Sequence, residues 1–84
     1  MLGRQRALVT PRGRAIITRR LAAEGRWNGT RRGIKITLWI SEDACYNHVR
    51  HLVRWRVKIR RRWLEGSAET AFDAIAEIER KAAV

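Results

Sequence analysis

Apolar and polar residues alternate one by one from Ile34 to Ile40. Ile34, Ile36, Leu38 and Ile40 fall on one side of an extended chain, and Lys35, Thr37 and Trp39 fall on the other. A period of two is the pattern of a half-buried strand, and this is the clearest strand signal in the sequence. Beyond it the pattern reads as helical. Ser41 stands where a helix cap belongs, and Glu42 and Asp43 suit the positive end of a helix dipole. On a 3.6-residue wheel Cys45, Val49, Leu52, Ile59 and Trp63 gather opposite Asn47, Arg50, His51, Arg54, Lys58, Arg61 and Arg62. This predicts a long amphipathic helix over 42–64. Glu65-Gly66-Ser67 ends it, because Gly66 can take a left-handed conformation and Ser67 can cap a following helix. That last helix, over 68–82, has Ala68, Ala71, Phe72, Ile75, Ile78 and Ala82 on one face and Glu69, Asp73 and Glu77 opposite.

The N-terminal third reads differently. Thr10-Pro11 is a helix start, since Thr caps free N–H groups and Pro is tolerated at the first helical position. Gly25 is the matching stop. Between them Ala15, Ile16, Ile17, Leu21 and Ala22 form a short apolar stripe surrounded by Arg12, Arg14, Arg19 and Arg20. Asn28-Gly29 and Gly33 mark the stretch 26–33 as a turn or hinge. The expected organisation is therefore a basic N-terminal arm over 1–33, with a helix at 11–24, and a strand-helix-helix domain over 34–84. The fold class is mainly α with one short strand. A lone strand leaves both of its edges unpaired, and a chain of 84 residues buries only a modest core. A homodimer that pairs the strand with its own copy answers both problems.

Charge then narrows the partner. The chain carries 19 Lys plus Arg against 8 Asp plus Glu, for a formal net charge of +11 and a pI near 11.7. Seventeen of those cations precede residue 65, where only Glu24, Glu42 and Asp43 oppose them. Such a charge repels itself in a compact state and attracts polyanions. Arg far outnumbers Lys, and its planar fork suits phosphate and guanine. The Trp residues at 27, 39, 55 and 63 offer stacking surfaces for unpaired bases, although Trp55 and Trp63 fall at core spacing on the expected helix.

A short alternating strand followed at once by two helices resembles the ribbon-helix-helix family of bacterial and phage DNA-binding proteins. The stretch Lys35-Ile36-Thr37-Leu38 is similar to the strand of its methionine repressor-like branch. The resemblance covers residues 34–80 and implies a homodimer whose paired strands enter the major groove of duplex DNA. It implies base reading by Lys35, Thr37 and Trp39, and a phosphate grip by Ser67 at the start of the second helix. Arg31, Arg32, Arg50, Arg54, Lys58, Arg61 and Arg62 are the further candidate phosphate ligands. Arg12, Arg14, Arg19 and Arg20 of the arm would follow adjacent phosphates or the minor groove. The functional expectation is a small DNA-binding repressor, or a plasmid or phage accessory factor acting in transcription regulation.

The alternative is an RNA-associated or phage-encoded protein that binds a ribonucleoprotein or an acidic host protein surface. An enzyme is not expected, because no nucleophile, base and orienting group recur together. No cofactor is implied. Cys45, His48 and His51, spaced by three on a helix, turn progressively away from one face and lack a fourth ligand, so no metal site is expected. Arg56 and Arg60 interrupt the apolar face that a membrane-surface helix would need. No apolar run approaches about 20 residues, and Met1 to Arg6 lack the core of a signal peptide. With a single cysteine, a cytoplasmic location is expected.

Overall fold

The computed structural model describes residues 8–45 and 48–83. The elements run α1 (Pro11–Glu24), β1 (Arg26–Arg31), β2 (Ile34–Cys45), β3 (His48–Ile59), β4 (Arg62–Ala68) and α2 (Ala71–Ala83). The four strands form one antiparallel sheet in the order β1-β2-β3-β4, each hydrogen-bonded to its neighbour in sequence. Both helices lie on the same face of it, α1 against β1 and β2, α2 against β3 and β4, and they touch each other.

This is a mixed α/β architecture, and it corrects the expectation of a mainly α, ribbon-helix-helix-like homodimer with an Arg-rich arm. The strand expected over 34–40 is longer and is one of four. Its edges are both occupied within the chain, by β1 and β3, so it has no need of a second copy. The expected helix over 42–64 is replaced by the end of β2, all of β3 and the start of β4.

The reason lies in residues 48–59. Val53, Trp55, Val57 and Ile59 occupy alternate positions, with Arg54, Arg56 and Lys58 between them. A helical wheel that collects Val49, Leu52 and Ile59 leaves Val53, Trp55 and Val57 unaccounted for, whereas a strand uses them all. β-Branched residues reinforce that choice, since their stiff side chains fit a pleated sheet better than a helix turn. Ser41 and Glu42 pair with Leu52 and His51 on β3 instead of opening a helix. Ser67 lies inside β4, and the cap of α2 is Thr70, whose Oγ1 accepts from the Asp73 N–H at 3.1 Å.

Helix α1 begins and ends at the signals that frame it. Thr10 Oγ1 accepts from the Gly13 N–H at 3.0 Å, Pro11 sits in the first turn, and Gly25 closes the helix in a left-handed conformation. The helix is no free arm. Ile17 and Leu21 are buried in a single core with Ile36 and Leu38 of β2, Val53, Trp55 and Val57 of β3, and Ala71, Ala74, Ile75 and Ile78 of α2. Between the helices, Glu79 of α2 receives the Arg14 guanidinium and, at 3.2 Å, the backbone N–H of Val9.

Trp55 fixes α2 on the sheet. Its ring is 3% exposed, and its Nε1–H donates to Glu77 of α2 at 2.8 Å. The ring reaches the helix across Gly66, its partner on β4. A Cβ at Gly66 would sit 2.3 Å from the Trp55 ring, so glycine here is a steric requirement. Gly66→Ala is expected to lower the unfolding free energy by about 1–3 kcal/mol, the cost of overpacking a filled site, read from urea denaturation monitored by Trp fluorescence. Unchanged stability would mean that the ring is free to move aside.

Candidate nucleic-acid interface

Because side chains alternate across a strand, burying Ile36, Leu38, Val53, Trp55 and Val57 under the helices sends their neighbours to the opposite face. The pairing registers order that face into three rows running across the four strands. The first is Arg26, Trp39, Arg54 and Ser67. The second is Asn28, Thr37, Arg56 and Glu65. The third is Thr30, Lys35, Lys58 and Trp63. Five cations, two indoles and four neutral polar groups surround a single carboxylate, and no helix covers them.

The aromatic and cationic groups are interleaved. The Arg56 guanidinium lies 4.3 Å from the centroid of the Trp63 ring, and the Lys58 ammonium lies 5.6 Å from it. Each such contact contributes about 0.5–1 kcal/mol at an exposed site. They hold Trp63 on the face although its side is 48% exposed to solvent. Trp39 is half-buried in the first row, on the inner strand β2. Lys35 and Lys58 stand directly opposite each other, a like-charge pairing that costs stability.

At one end of the sheet the two hairpin turns lie side by side, because Ile34 begins β2 where Ile59 ends β3. The first turn is Arg32-Gly33, with φ of 52° and 77°; the second is Arg60-Arg61, with φ of 50° and 67°. Two positive φ values define the turn that matches strand twist, and Asn-Gly is its favoured sequence. An Arg in this conformation costs about 1–2 kcal/mol. With Arg31 and Arg62 flanking the turns, this end gathers five arginines.

The expected site residues divide accordingly. Lys35, Thr37 and Trp39 share the open face, as do Arg54, Lys58 and Ser67. Arg32 and Arg61 are in the turns beside it. Arg31 belongs to the helix-covered face and stacks over Trp27 at 5.2 Å. Arg62 is exposed but occupies the same side, as the partner of Ile59. Arg50 lies in β3 opposite Asp43, and its side chain is outside the described residues, as are those of Cys45 and His48. Arg12, Arg14, Arg19 and Arg20 are on α1, behind the sheet, where Arg14 is engaged by Glu79 and Arg20 by Glu24 at 3.1 Å. They do not join the open face.

Arg26 and Arg56 are missed in the sequence, and Trp63, named there as a stacking surface but set at core spacing, is instead exposed on this face. The places of Arg56 and Trp63 become visible once 48–59 is read with a period of two, since Arg56 then falls beside Arg54 and Lys58, and Trp63 opposite Lys58. Among the described residues no helix is long and apolar enough to cross a membrane. Comparison with protein-family models, with curated proteins and with solved structures gives no match to this chain.

Replacing Arg60-Arg61 by Asn-Gly is expected to raise stability by about 1–2 kcal/mol by relieving the turn, measured by thermal or urea unfolding. A loss of stability would show that the arginines carry contacts that outweigh their backbone cost.

Proposed function

We propose that the protein binds RNA through unpaired bases laid across the helix-free face of its sheet. The observation that carries this reading is the three-row face itself, in which cations for phosphates alternate with exposed indole for bases. Backbone charge supplies affinity for any nucleic acid, and stacking on aromatic side chains or on the plane of an Arg is how unpaired bases are held. Arg56 on Trp63 offers both surfaces at once. Thr30, Thr37, Asn28 and Ser67 supply groups able to bond a 2′-hydroxyl, the feature that separates RNA from DNA.

Duplex DNA fits this face less well. Four strands spaced about 4.8 Å apart span about 14 Å between the outer two, more than the roughly 12 Å of the major groove. The two-strand ribbon that would enter that groove required one strand per chain. A role as a transcription repressor acting through such a ribbon therefore loses its premise.

The test compares an eight- to twelve-nucleotide single-stranded RNA with the same sequence as single-stranded DNA and as a duplex, across a salt series. The single-stranded RNA is expected to bind tightest. Trp63→Ala should weaken it by about 1–3 kcal/mol, the value of one stacked base. Arg56→Ala should reduce the slope of log K against log salt by about 0.7, one phosphate contact on a single strand. Equal affinity for the duplex, with Trp63→Ala neutral, would sink the reading.

A further inference from the structure

Glu65, the single carboxylate of the three rows, calls for a reason. It is exposed and sits in the middle row opposite Arg56, the placement of an ordinary cross-strand ion pair. Arg56 instead turns to the Trp63 ring at 4.3 Å. Arg14 pairs with Glu79 and Arg20 with Glu24, and Glu65 takes part in neither. A negative charge left unpaired amid phosphate-seeking cations weakens attraction for a backbone, so it serves phosphate binding badly.

Its surroundings suit a base. Trp39, Arg54, Glu65 and Ser67 line a depression of about 280 Å³, floored by Trp55 and Gly66. Trp55 and Gly66 are paired positions whose side-chain direction is toward the helices, so on the open face they present only backbone, and Arg54, Glu65 and Ser67 beside them stand around that floor. It thus has an aromatic wall, a hydroxyl and a carboxylate with two accepting oxygens.

The geometry points to this depression as a pocket for one unpaired guanine, stacked against Trp39 and held by Glu65 through guanine N1–H and N2–H. An ionised carboxylate only accepts hydrogen bonds, at both of its oxygens. Guanine is the base whose pairing edge presents two adjacent donors. Adenine and cytosine set a ring-nitrogen acceptor beside their amino group, which repels the second oxygen, and uracil offers one donor between two carbonyls. Glu65 is then a specificity-determining residue on a face that otherwise binds without regard to sequence. This inference rests on the proposed RNA platform and adds a base preference to it.

The experiment measures binding of eight-nucleotide RNAs made of uridine, either uniform or with one central guanosine, inosine, adenosine or cytidine. Inosine keeps N1–H and lacks the N2 amino group. Wild type is expected to favour guanosine over inosine about tenfold, as suits a bond to a charged acceptor, and inosine over adenosine. Glu65→Gln is near-isosteric and exposed, and its thermal midpoint should match wild type. It should bring the guanosine-to-inosine ratio close to one while binding uniform uridine as well as or better than wild type. Equal binding of all four bases, a preference for cytidine or adenosine, or an intact guanosine-to-inosine ratio in Glu65→Gln overturns the pocket while leaving the platform standing. Failure of wild type to bind even the uniform uridine RNA overturns both.

Discussion

Successive side chains of a strand point to opposite faces, and here one face is sealed by two helices. Everything else about the molecule follows from how β3 meets that constraint. Val53, Trp55 and Val57 go inward to meet Ile17, Ile75 and Ile78, so Arg54, Arg56 and Lys58 must go outward. A slip of one residue would bury three cations and expose the core, a cost no local interaction could offset. The same residues that close the core therefore array the charge. The flanking strands extend the array, with Lys35, Thr37 and Trp39 on one side and Trp63, Glu65 and Ser67 on the other.

That array is costly to the fold. Lys35 faces Lys58 across a register pair, Arg60 and Arg61 hold left-handed backbone, and Trp63 is half in water. Each feature is locally unfavourable, and they sit together at one end of one face. Clustering of strained or repulsive features is the pattern expected where a surface is shaped for a ligand. The helix-covered side carries no such load. There Arg14 is held by Glu79, Arg20 by Glu24, and Arg31 stacks over Trp27.

Some of this was legible in the sequence. The limits of α1 are written in Thr10-Pro11 and Gly25, and the face of β2 in the alternation from Ile34 to Ile40. Lys35, Thr37, Arg54 and Lys58, which share the open face, were already among the candidate site residues. β3 was obscured because Val49, Leu52 and Ile59 also fit a helical period, and because Ser41-Glu42-Asp43 imitates a helix start. The turn at Arg60-Arg61 carries no Gly, Asn or Pro, so nothing local announces it. Only the pairing of Ile59 with Arg62 and of Lys58 with Trp63 forces the chain to reverse there. Gly66 looked like a helix stop, and its actual reason, the ring of Trp55, lies on another strand.

The four indoles give the most direct test of the claim that the helix-free face is the RNA surface. In a nitrogen-15 correlation spectrum each indole N–H is a separate probe. Trp39 and Trp63 lie on the open face, while Trp27 lies beneath Arg31 on the covered side and Trp55 is bonded to Glu77. Titration with single-stranded RNA is expected to shift the Trp39 and Trp63 signals, together with the amides of Lys35, Thr37, Arg54, Arg56 and Lys58. The Trp27 and Trp55 indoles and the amides of α1 and α2 should stay in place. Shifts confined to the helices, with Trp39 and Trp63 unmoved, would contradict the account.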